Sequence, residues 1–108
     1  METQQETDQS KDFDTFISSR STPVLSDFRA DWCAPCKMMD PILKDLAKEM
    51  KGRLIVIKVD TEKKPHLANR FGISAIPTLI LFKDGREVHR FQGAMPLARL
   101  KQELDSRL

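Results

Sequence analysis

The sequence predicts an α/β chain: a mixed sheet with a parallel centre and an antiparallel C-terminal hairpin, covered by helices on both faces. Three observations carry that reading. Apolar residues recur at helical spacing in three segments, and helical segments alternate with short apolar runs of strand length. The run Leu54-Ile55-Val56-Ile57-Lys58-Val59 is almost continuously apolar, as expected of a strand covered on both faces. Asp84-Gly85 stands between two strand-like runs and is a strong signal for a tight hairpin turn.

The elements follow in order. Between Asp12 and Arg20, Phe13, Phe16 and Ile17 fall at i, i+3, i+4 on one helical face. Pro23 opens the run Val24-Leu25-Ser26-Asp27-Phe28, which reads as a strand. From Pro35 to Met50, the residues Met39, Ile42, Leu43, Leu46, Ala47 and Met50 keep helical spacing, and Gly52 marks the stop. Pro41 lies inside this helix, where its missing N–H and its ring should bend it. After the strand Leu54–Val59, a short helix from Pro65 to Phe71 has Pro near its start and Gly72 just past its end. Thr78-Leu79-Ile80-Leu81-Phe82 is the next strand, and Glu87 to Phe91 returns antiparallel as a more polar one. A last helix from Pro96 aligns Leu97, Leu100, Leu104 and Leu108. The order is α-β-α-β-α-β-β-α, and strands joined through helices imply right-handed crossovers and a parallel centre.

The chain has 108 residues, enough for one domain with a real core. Residues 1–10 read as a polar tail or weak edge strand, and residues 11–108 as a single domain. No apolar run approaches the roughly 18 residues that a membrane span needs. The net charge of +2 is mild and scattered, which argues against nucleic acid or an anionic membrane as a partner. The first ten residues lack the basic start and apolar stretch of a secretory signal, so the expected location is cytoplasmic. Two cysteines three positions apart are not the disulfide framework of a small secreted scaffold.

Those cysteines stand in Trp32-Cys33-Ala34-Pro35-Cys36, at the junction of the first strand and the long helix. Spacing of three in a first helical turn puts two side chains on one face, close enough for a disulfide. Unpaired N–H groups and the helix dipole favour negative charge there, so Cys33 is expected to have a lowered pKa and supply a thiolate. Cys36, one turn deeper, is suited to resolving a mixed disulfide. Pro35 costs little in the first turn, where its absent N–H is not needed. Three readings compete. Zinc requires about four ligands, and only His66 and His89 accompany the cysteines, 23 residues apart and without zinc-finger spacing. Two inert buried cysteines are the bland reading. A redox dithiol is what C-x-x-C beside a β-α-β pattern favours.

The motif Asp27-Phe28-x-Ala30-x-Trp32-Cys33-x-Pro35-Cys36-Lys37-Met38, with Pro41 beyond it, resembles the thioredoxin family. So do Phe71-Gly72-Ile73-x-x-Ile76-Pro77-Thr78-Leu79, Phe82-Lys83-x-Gly85 and Gly93-Ala94, and the likeness runs from Phe13 to the C-terminus. The resemblance implies the thioredoxin fold and a thiol–disulfide oxidoreductase that reduces protein disulfides, with Cys33 and Cys36 as its reversible dithiol. It implies protein disulfides as substrates and a thioredoxin reductase as electron donor, in a monomer without bound cofactor or metal. Two departures stand out: Ala34 replaces the family's usual Gly, and Arg29 its usual Trp.

Asp27 shares the parity of Leu25 in an apolar strand, where a central position would desolvate it and raise its pKa; an exposed strand end is the plain alternative. The resemblance implies that Asp27 exchanges a proton with Cys36, and that Lys58 lies near it. A strand lysine otherwise snorkels to solvent. Lys58 and Arg29 are thus candidate modulators of the site's pKa values. Trp32, Ala34, Pro35, Ile76, Pro77, Gly93 and Ala94 resemble the family's substrate-docking surface. Pro77 is expected to be cis by that likeness, with the Ile76 backbone pairing to an extended substrate segment. Gln92 makes the rim more polar than is usual. His66 and His89 read as surface residues. Two other function classes stay open: a disulfide oxidase or isomerase, and a binding module that uses the groove without turnover.

Overall fold

The computed structural model describes residues 11–108, so the tail or edge strand expected at residues 1–10 lies outside the described residues. Helix α1 covers residues 11–18. It is followed by β1 (Val24–Arg29), α2 (Ala34–Glu49), β2 (Ile55–Asp60), α3 (Pro65–Arg70), β3 (Thr78–Lys83), β4 (Arg86–Gln92) and α4 (Leu97–Asp105). The element order is the expected one. Helix α2 continues through Pro41 for 16 residues.

The four strands lie in the order β2-β1-β3-β4. Strands β1 and β2 are parallel, with Asp27 opposite Lys58. Strands β3 and β4 form the expected antiparallel hairpin, with a register irregularity between Leu81 and Phe82. Its turn uses Asp84 at φ 53° and Gly85 at φ 78°, the double positive φ that makes Asp-Gly a hairpin signal. A Cβ on Gly85 would stand 2.9 Å from that of Ser18, so this glycine also lets α1 approach the turn.

The sheet is mixed, as expected: among the described residues β1 and β2 pair in parallel and β1 and β3 antiparallel, with Phe28 opposite Thr78. Strand β3 starts at the end where β1 and β2 finish. Among the described residues β2 is an edge strand; Val56 packs toward α2 and Ile55 and Ile57 toward the opposite face, each only partly buried.

Side-chain alternation along the strands builds two core layers. Leu25, Leu79 and Leu81 pack with Met39, Leu43 and Leu46 of α2 and with Leu100 and Leu104 of α4. On the other face Val24, Phe28, Ile80 and Phe82 pack with Phe13 and Ile17 of α1 and Leu67 of α3. Phe71 bridges that layer by edge contacts to Phe13 and Phe82 at 5.5 and 5.4 Å. Each such large apolar side chain contributes about 1.5–3 kcal/mol when fully buried. Helices therefore cover both faces, and the end of β1, the start of α2 and the start of β3 converge at one end of the sheet.

Candidate redox site

Strand β1 delivers the chain into a tight turn, closed by the Cys33 N–H donating to the carbonyl of Ala30 at 3.2 Å. Cys33 is extended (φ −90°, ψ 111°) and is the N-cap of α2, with Pro35 in the first turn. The backbone N–H of Cys36 donates to Sγ of Cys33 at 3.3 Å. Cys33 and Cys36 are joined as a disulfide across a Cα–Cα distance of 5.2 Å. Cys33 keeps 4 % exposure and Cys36 none, with Ala30 and Ile76 packed around them. The first turn contains no acidic side chain, so α2 presents its positive end to Cys33 without a competing carboxylate.

The start of β3 forms the opposite wall. The carbonyl oxygen of Ile76 lies 3.8 Å from Sγ of Cys33, and the Ile76–Pro77 peptide is cis. Oγ1 of Thr78 donates to the carbonyl of Ala75 at 2.6 Å, which ties down this loop. The N–H of Gly93 donates to the carbonyl of Pro77 at 2.9 Å, so the exit from β4 is held beside the same loop. Gly93 makes that exit at φ 83°, a conformation other residues rarely adopt. Trp32, Ala34, Pro35 and Ala94 are exposed, Ile76 and Gly93 half-buried, and Pro77 buried. Pro77 thus shapes the rim from below. Met38, 64 % exposed, adds apolar surface to the first turns of α2, while Met39 belongs to the core and accepts the Met95 N–H at 3.4 Å.

Asp27 is fully buried on the α2 side of β1, not at an exposed strand end, and neither carboxylate oxygen has a hydrogen-bond partner. Burial pushes its pKa up to about 6, against a smaller lowering by Arg29 and Lys58 and a further rise from Asp40. Arg29, on the same face two residues along, donates to Asp31 at 2.8 Å and pairs with Asp40 at 3.5 Å. Its hydrogen bond to Asp31 is the main reason that Asp31 is more acidic than usual and Arg29 more basic. Lys58 stands opposite Asp27 in the sheet but turns its ammonium to Asp40 at 3.1 Å.

Asp40 is the residue that the sequence reading passed over. Its signal was present: it lies four residues after Cys36, on the helical face that meets a strand carrying Arg29 and Asp27. His66 and His89 lie in α3 and β4, His89 against the ring of Phe91 at 4.5 Å. Among the described residues, no group of three or more His, Cys, Asp or Glu is placed to hold a metal ion.

The thioredoxin family model matches residues 4–106. Similar relatives include Thioredoxin Y, chloroplastic, of Oryza sativa subsp. japonica, 45 % identical over 89 % of this chain and 57 % of the relative. Thioredoxin Y2, chloroplastic, of Arabidopsis thaliana is 46 % identical over 89 % of this chain and 58 % of the relative. Thioredoxin 1 of Chlorobaculum tepidum is 47 % identical over 84 % of this chain and 90 % of the relative. The chain spans somewhat less than three fifths of the two plant relatives. These names correct the cytoplasmic expectation, because chloroplastic relatives point away from it. That expectation rested on the polarity of residues 1–10, and the composition of one short segment does not fix a compartment.

Proposed function

This chain belongs to the thioredoxin family, and on that premise we propose that it reduces protein disulfides through the Cys33–Cys36 couple. The observation that supports this most directly is the disulfide at the N-terminus of α2, with the Cys36 N–H directed at Sγ of Cys33. A donor aimed at that sulfur favours its thiolate over its thiol.

In the proposed cycle the Cys33 thiolate attacks one sulfur of a substrate disulfide. A Cys33–substrate disulfide forms and the other substrate sulfur leaves as a thiolate. Asp27 accepts the Cys36 proton, and the Cys36 thiolate attacks Sγ of Cys33. The second substrate sulfur leaves, and the Cys33–Cys36 disulfide carries the two electrons' worth of oxidation. A thioredoxin reductase returns two electrons and the cycle repeats. Trp32, Ala34, Pro35, Ile76, Pro77, Gly93 and Ala94 serve as the docking surface, with the Ile76 backbone pairing to an extended substrate segment.

The test is reduction of insulin disulfides by the prereduced protein. Cys33→Ser is expected to abolish it. Turnover retained in that variant contradicts the proposal, and partner binding that survives without turnover favours the binding-module reading.

A further inference from the structure

The charges between α2 and the sheet are divided unevenly. Asp27 and Arg29 project from one face of β1, Lys58 stands opposite Asp27 on β2, and Asp40 meets them from α2. Two cations and two carboxylates thus share this layer, and both cations go to Asp40. Arg29 lies 3.5 Å from Oδ2 and Lys58 3.1 Å from Oδ1, while both oxygens of the wholly buried Asp27 lack a hydrogen-bond partner. Arg29 is fixed a second time by Asp31. The charged groups facing Asp27 are Arg29 from β1, Lys58 from β2 and Asp40 from α2; its β3 neighbour, Leu79, is apolar. Asp40 is one helical turn from Cys36.

We propose that Asp40 is a positioning residue for the dithiol: it holds Lys58 and Arg29 off Asp27, so that Asp27 keeps its proton free of a cation partner and can exchange it with Cys36. This rests on the proton-carrier role assigned to Asp27 above. The physical argument is competition. A buried carboxylate that gains a nearby cation becomes a stable anion and a poor proton carrier. Lys58 is half-exposed and has room to move, because a cleft of about 370 Å³ lies between α2 and β2 with Asp40, Val56 and Lys58 on its walls. Without the Asp40 charge the ammonium is free to turn to Asp27, its direct neighbour in the sheet. The loss of a like charge acts in the same direction, toward a lower Asp27 pKa.

The experiment is a carboxyl-carbon NMR titration of the oxidised full chain, in which the Asp27 signal is the one that Asp27→Asn removes. Asp40→Asn is expected to move the Asp27 midpoint down by about one pH unit or more. An unchanged or raised midpoint overturns the proposal. In a Lys58→Gln background the same substitution is expected to move the midpoint less, and an equal shift overturns the cation-holding role. The pH profile of disulfide reduction, measured on the same variants, separates this proposal from the reading beneath it. A profile that follows the midpoint supports both. A midpoint that moves while the profile stays put supports the Asp40 assignment and overturns the proton-carrier role of Asp27.

Discussion

The backbone N–H of Cys36 points at the sulfur of Cys33 from 3.3 Å. The donor N–H is placed by the helical turn and not by the S–S bond, so the contact is expected to persist when the disulfide opens. It makes the two cysteines unequal: Cys33 receives a donor, and Cys36 is wholly enclosed. This inequality supports the proposed cycle, in which Cys33 attacks the substrate and Cys36 resolves the mixed disulfide.

That inequality is testable by removing the resolving thiol. Cys36→Ser is expected to retain the first attack and to accumulate a Cys33–substrate disulfide, visible as a reducible adduct by non-reducing electrophoresis and mass spectrometry. Failure to trap an adduct with a substrate that the native protein reduces contradicts the two-step order.

Asp27 gives stability a definite pH dependence. Its folded pKa of about 6 lies above the ordinary 3.8, so between those values the unfolded chain has lost the proton and the folded chain has kept it. Stability is thus fully present below about pH 4, falls as pH rises toward 6, and then levels off. The lifted pKa corresponds to about 3 kcal/mol. Relative to the native protein, Asp27→Asn is expected to gain about that much stability between pH 4 and pH 7, measured by urea unfolding of the oxidised forms. A difference that does not vary with pH contradicts the account.

Leu104 tests the layer that holds α4 on the sheet. It is fully buried with Leu100 against the α2 side of the core. Leu104→Ala is expected to cost about 2–5 kcal/mol of unfolding free energy. Disulfide reduction below the unfolding transition should change little, because the residue lies outside the Cys33 and Cys36 cluster.

Much of the fold was legible because its signals are local. Asp84-Gly85 specifies a turn that only positive φ can make. The parity of Asp27 with Leu25 placed the two side chains on one face of the strand, and the strand-to-helix position of Cys33 and Cys36 placed a dithiol at a helix start. What was not legible depends on pairs distant in sequence. The antiparallel pairing of β3 with β1 joins segments far apart in sequence, which no apolar pattern records. Asp40 belongs to no motif and becomes notable only once Arg29 and Lys58 converge on it. The partial exposure of β2 accompanies its edge position among the described residues, which an apolar run does not reveal.

The most direct test is the reduction potential of the Cys33–Cys36 couple, by equilibration in graded thiol–disulfide buffers. Trp32, the chain's only tryptophan and 69 % exposed beside Cys33, reports the state by its fluorescence. A reversible two-electron transition near the established thioredoxin figure of about −270 mV is the expected result. A value between about −180 and −120 mV, the range of isomerases and strong oxidants, contradicts the assignment as a reductant, and the absence of any reversible transition contradicts the redox reading altogether.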